Sequence, residues 1–161
     1  MNYTYMKYLK ITAKIRICNY EELLSEEKFI VDKAKEATFR AYAPYSKFKV
    51  GAAALLQNGK IVDGNNQENV AFPSGLCAER TTIFYAHSQY PDEAVKALAI
   101  AAYTDGDFLD RPISPCGACR QVMLETEMRF KQPIEIILYG KKEILIVESI
   151  KDLLPLAFDS L

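Results

Sequence analysis

The chain carries no excess charge of either sign: 20 Lys and Arg stand against 21 Asp and Glu, a net charge of −1 over 161 residues. A protein that holds a long nucleic acid carries a basic excess, so that class is set aside in favour of a small or weakly charged ligand. No apolar run approaches the ~18–20 residues of a membrane span. The start of the chain is interrupted by Lys7, Lys10, Lys14 and Arg16, and without an apolar h-region it predicts no signal peptide. Internal repeats, low-complexity tracts and dividing linkers are missing too. Cysteine is scarce, with four residues. With no export signal, thiols or metal ligands are expected rather than disulfides, and a cytoplasmic location with them. Histidine is scarcer still: His87 is the single one.

What is present is the composition of an ordinary globular domain, 50% hydrophobic and 25% charged. The length suffices to bury about two thirds of the unfolded surface. Residues 8–18 partly alternate, with Ile11, Ala13, Ile15 and Ile17 on one face, which predicts a half-buried strand. Asn19 and Glu22 have capping-box spacing. A helix is expected from about Glu21 or Ser25 to Ala41, ended by Ala43-Pro44. Residues 47–57 read as a buried strand, Asn58-Gly59 as a hairpin turn, and residues 60–63 as the returning strand. A helix follows over 76–88, a strand over 95–103, a second helix over 115–130 and a strand over 133–139. Residues 143–148 pair with that strand or follow it. The alternation implies a layered α/β structure around a central sheet.

Two segments concentrate the chemistry: Cys77-Ala78-Glu79-Arg80 and Pro115-Cys116-Gly117-Ala118-Cys119-Arg120. The C-x-x-C alone reads as a redox dithiol or as a metal site. The redox reading leaves Cys77 unexplained, whereas three thiolates make a zinc site with one position open. His87 lies ten residues beyond Cys77, about 15 Å along a helix, and is out of reach as a fourth ligand. It is expected to be a helix-end residue, and Cys18 a free thiol. Both segments open helices, with Ser74 expected to cap the first and Ser114 the second, Pro115 taking the first helical position. Helix N-termini favour thiolates. Arg80 shares a face with Cys77 and can donate to the sulfurs, offsetting their charge. Glu79, in the same first turn, can reach a ligand lying off the helix end.

A first ligand, one residue, then Glu, followed by P-C-x-x-C, is the spacing of zinc deaminases. The chain resembles the small, homotetrameric, three-cysteine cytidine deaminases. The resemblance rests on Ala41 to Ala53, Asn66-Gln-Glu-Asn69, Cys77-Ala-Glu-Arg-Thr81, Pro115-Cys-Gly-Ala-Cys-Arg-Gln-Val122 and Leu153-Leu-Pro-Leu-Ala-Phe158. It covers about residues 21–161, leaving 1–20 as an N-terminal extension, expected to add a strand at a sheet edge or subunit interface, with a mobile arm as the alternative. It implies a three-layer α/β/α sandwich with a mixed five-stranded sheet. One zinc ion per chain would be held by Cys77, Cys116 and Cys119, with Glu79 as proton shuttle and Arg80 beside the sulfurs. Asn66 and Glu68 match residues that bond the ribose hydroxyls, Phe48 an aromatic beside the base, and Phe158 an aromatic supplied by a neighbouring subunit. The stretch Asn66, Gln67, Glu68, Asn69, Val70, Ala71 and Phe72 matches the substrate-binding segment, and Ala78 counts among the contacts. Phe72 stands where the family usually has tyrosine, and Asn65 where it often has cysteine.

The implied reaction is hydrolysis of cytidine and deoxycytidine to uridine and deoxyuridine with release of ammonia, a step of pyrimidine salvage. The rivals are a deaminase of a modified cytosine nucleoside of the blasticidin type and a non-enzymatic zinc module. The latter would need a fourth ligand and would have no use for Glu79. A deaminase of polynucleotides would want a basic channel that the charge balance does not supply.

Overall fold

The computed structural model describes residues 7–159. The start of the expected extension, residues 1–6, lies outside them, as do residues 160–161. Strand β1 (Ile15–Cys18) and a 3-10 turn (Tyr20–Glu22) lead into helix α1 (Ser25–Thr38). A hairpin of β2 (Lys49–Leu56) and β3 (Ile61–Asn65) follows, then α2 (Ala78–Gln89), β4 (Val95–Thr104) and the short β5 (Asp107–Phe108). Helix α3 (Gly117–Phe130), β6 (Glu135–Leu138), β7 (Ile144–Val147) and a 3-10 turn (Ile150–Asp152) complete the order. The sheet runs β1-β7-β6-β4-β2-β3, with β5 added on β4. Only β4 and β6 pair in parallel; the other pairings are antiparallel.

Alternation along the strands makes two cores. Leu98, Ile100 and Ala102 of β4 face Ile83 of α2 and Met123 and Leu124 of α3. Ala97, Ala99 and Ala101 face Ile30, Val31 and Ala34 of α1. The result is the expected α/β/α sandwich, with small residues on the α1 side. Gly51 is what lets α1 lie so close: a Cβ there would stand 2.1 Å from the Ala34 carbonyl oxygen. On the other face a Cβ on Gly64 would meet Thr82 Oγ1 at 2.6 Å, so Gly64 sets how near α2 comes to the sheet.

The sheet departs from five strands in two ways. The N-terminal strand is added at the edge beside β7, in register Ile15↔Val147 and Ile17↔Leu145, and β5 adds two residues. The N-terminal strand is shorter than its alternation predicts: residues 8–14 form no regular element. Its apolar face is also open rather than half-buried, with Ile17 65% exposed. As the outermost strand, it meets the second core at its Cys18 end. An Arg16–Glu27 ion pair ties it inward as well. The Asn19–Glu22 box forms, Glu22 accepting the Asn19 N–H at 2.7 Å, yet it closes the 3-10 turn. Helix α1 ends at Thr38, before the expected Ala41, because Arg40 and Ala41 tighten into bonds to Ala37 and Thr38 ahead of Pro44.

Candidate active site

The starts of α2 and α3 converge on one point, and cysteines sit at both N-cap positions. Cys77 takes an extended backbone (φ −70, ψ 154) immediately before Ala78, and Cys116 (φ −67, ψ 165) immediately before Gly117. The expectation that Ser74 and Ser114 cap these helices is overturned. Ser74 closes a separate 3-10 turn, Phe72–Ser74, and the Ser114 hydroxyl accepts from Arg120 at 2.9 Å. Pro115 accordingly precedes the cap rather than following it.

The sulfurs of Cys77 and Cys116 are 3.9 Å apart and those of Cys116 and Cys119 3.4 Å, and all three lie within 4.8 Å of one another. Zinc–sulfur bonds of about 2.3 Å in a tetrahedron separate sulfurs by about 3.8 Å, so the donor set fits the ion in size and chemistry. The group holds three ligands and, among the described residues, no fourth. That is the layout of an open site rather than a closed structural one. Cys18 lies apart on β1. His87 lies in the last turn of α2, its ring 5.4 Å from that of Phe130.

The electrostatics favour a thiolate at Cys77. Its pKa is pulled down to about 5, first by a hydrogen bond from the Cys119 thiol, then by Arg80 and Cys116 acting against burial. Arg80 Nη2 reaches Cys77 Sγ at 3.8 Å. The bond to Cys77, with burial, holds the Cys119 thiol up. Glu79 is 4% exposed. Burial pushes its carboxyl up, and the nearby Cys77 charge adds to this, so Glu79 is set to hold a proton more readily than a surface glutamate.

The sulfurs open into a cleft of about 740 Å³ whose lining includes Phe48, Asn66, Gln67, Glu68, Asn69, Phe72, Cys77, Ala78, Glu79, Arg80 and Cys116. Its floor beyond the helices is the strand-like segment 66–68. Gln67 exchanges backbone bonds with Leu76, and Asn66 and Glu68 bond the backbone of Tyr42. The Asn66 amide accepts from Val50 N at 2.8 Å and donates to Phe48 O at 2.9 Å, fixing the approach to β2 on which Phe48 sits. The Glu68 carboxylate accepts from Tyr45 N at 2.9 Å and from the Ser46 hydroxyl. That hydroxyl is the first cause of the lowered pKa of Glu68. Val70, Ala71 and Phe158 are not in the lining. Val70 is 77% exposed and Phe158 68%, and the Phe158 carbonyl is held by Gln121 Nε2 at 2.8 Å. Tyr45, Ser46 and Ile113 line the cleft without having been singled out from the sequence, and Ser114 lines it having been singled out as a helix cap. Tyr45 and Ser46 lie inside the Ala41–Ala53 motif, which was the available signal. Tyr45 meets Phe72 edge-on, with ring centroids 6.1 Å apart.

A buried carboxylate beside an open three-sulfur site is the arrangement of a hydrolytic metalloenzyme. Residues 24–131 match the family described as the cytidine and deoxycytidylate deaminase zinc-binding region, and the chain belongs to that family. It is 43% identical over 100 residues to the cytidine deaminase of Halalkalibacterium halodurans, covering 62% of this chain and 71% of that one. It is 39% identical over 130 residues to that of Mycobacterium tuberculosis, covering 78% and 84%. The crystal structure of cytidine deaminase from Burkholderia pseudomallei superposes with a TM-score of 0.68 at 41% identity, over 81% of this chain and 97% of that one.

Proposed function

We propose that this protein deaminates cytidine and deoxycytidine hydrolytically, giving uridine or deoxyuridine and ammonia. The observation that carries the reading is the placing of Glu79, buried in the first turn of α2 next to a three-sulfur group with no fourth ligand among the described residues. Cys77, Cys116 and Cys119 would hold zinc, which supplies a Lewis acid that makes water nucleophilic at neutral pH. Glu79 takes a proton from the attacking water and places it on ring N3 while the water oxygen bonds to C4. Glu79 then passes the second water proton to the amino nitrogen, the C4–N bond breaks and ammonia leaves. One carboxylate serves both transfers only within about 2.6–3.2 Å of each site, and the burial of Glu79 in the first turn of α2 supports that role. Arg80 donates to Cys77 and offsets thiolate charge that would otherwise dull the metal.

At the far end of the cleft, Glu68 and Asn66 take the ribose hydroxyls, while Phe48 and Phe72 flank base and sugar. The rest of the 67–71 stretch and Ala78 shape the wall. Phe158 is exposed and outside the lining of its own cleft, which fits a role in a neighbouring subunit's site within a homotetramer. Residues 21–161 form the deaminase domain and 1–20 an extension. The reading places the protein in the cytoplasm, where thiols stay reduced. Ammonia release from a panel of cytosine nucleosides, nucleotides and modified cytosine nucleosides tests the activity. Turnover of cytidine and deoxycytidine is expected. Turnover confined to nucleotides or to modified nucleosides would refute it.

A further inference from the structure

We propose that Arg120 is a positioning residue that locks the C-terminal segment to the loop carrying Cys116, so that the sulfur cluster and the tail bearing Phe158 are held as one body. Arg120 follows Cys119 directly in α3. Its guanidinium reaches three neutral acceptors: Nε donates to Pro115 O at 2.8 Å, Nη2 to Ser114 Oγ at 2.9 Å, and Nη1 to Leu153 O. Pro115 immediately precedes Cys116, and Ser114 lines the cleft. One planar cation thus fixes the sulfur-bearing loop, the cleft wall and a carbonyl 33 residues away in sequence. Lysine could not serve all three, because its ammonium is a single point and not a fork.

Helix α3 guides the tail on both sides of this contact. The Glu127 carboxylate accepts from Ser149 Oγ at 2.8 Å and Ile150 N at 2.9 Å, which sets the turn from which the tail departs. Gln121 then holds the Phe158 carbonyl at 2.8 Å. Arg120 lies between these anchors on the tail's path, and it alone among the three also grips the segment leading into Cys116. Loosening it should therefore reach the metal and the tail together.

The part of this inference that concerns the tail rests on the function proposed above for Phe158; the part that concerns the cysteine loop rests on zinc binding alone. Full-length Arg120→Gln, Arg120→Lys and Ser114→Ala proteins are loaded with zinc. The rate at which a chromogenic chelator strips the metal is then measured, together with kcat and KM for cytidine. Arg120→Gln should release zinc about tenfold faster, the size of one lost charge-assisted hydrogen bond, and raise KM more than it lowers kcat. Arg120→Lys should not restore either value. Ser114→Ala removes one acceptor and should give a smaller rise in release rate, so it carries the test if Arg120→Gln fails to fold. In a double-mutant cycle the KM penalty of Phe158→Ala should shrink in the Arg120→Gln background, since the tail is already loose there. Wild-type release rates in Arg120→Gln and Ser114→Ala would overturn the proposal, as would full rescue by lysine. A lowered Tm with additive KM effects and unchanged release would overturn it equally. If Phe158→Ala alone leaves KM unchanged, the role of Phe158 falls, and the chelator rates still decide the case of Arg120.

Discussion

At one end of the cleft, Glu79 and the three cysteines sit on the first turns of two helices, with Glu79 and Cys119 buried. At the other end, Asn66 and Glu68 lie on an extended segment between β3 and α2, partly open to water and held by single backbone bridges to Tyr42 and Leu76. The sulfur end is anchored because its groups stand on α2 and α3, which pack together on one core. The other end is held by side chains that brace backbone: Asn66 bonds Phe48 and Val50, and Ser46 with the amide of Tyr45 orients Glu68. Damage to the first end should therefore appear in kcat or in metal content, and damage to the second in KM.

The largest effect is expected from Cys119→Ala, which removes a fully buried sulfur. Metal content by atomic absorption and activity should both be lost, while Cys18→Ala should change neither. Depletion of zinc by the Cys18 change would break the division between cluster and strand. Next comes Glu79→Gln, isosteric but unable to carry a proton. It should keep its zinc and lower kcat by at least ~10²–10⁴-fold. A near-normal kcat would remove Glu79 from the chemistry.

Glu68→Gln should raise KM for cytidine by about 10- to 100-fold, the size of a hydrogen bond to a charged group, with kcat little changed. Steady-state kinetics that place the loss in kcat would merge the two ends of the cleft into one. The smallest effect is expected for Ser46→Ala. It frees Glu68 without removing it, and because the loss reaches the substrate only indirectly, KM should rise by about 2- to 10-fold, at or below the size of one hydrogen bond.

The same contrast decides how much the sequence could say. The cluster was legible because its information is local: Cys77 and Glu79 share one helical turn, and Cys116 and Cys119 another. The order of strands and helices was legible from periodicity, down to the Asn58-Gly59 turn. The helix caps were misread because Ser74 and Ser114 satisfy the preference for a hydroxyl, while the folded chain gives those positions to sulfur. Strand β5 has two residues and no pattern to detect. The openness of Ile15 and Ile17 follows from being at the sheet edge, which alternation cannot reveal. The bracing by Asn66, Ser46 and Arg120 spans 16 to 33 residues of sequence, and no local rule reports a contact at that distance.

The sulfur caps have a consequence for how the protein breathes. No side chain caps α2 or α3 from the N-cap position, so their leading amides lack the oxygen acceptor that such a cap supplies. When a chelator strips the cluster, amide hydrogens at residues 78–80 and 117–119 should begin to exchange with solvent deuterium well before those of β4, the strand at the centre of the sheet. The active centre is then also the fraying point of the fold, so heat should silence the enzyme before it melts the sheet.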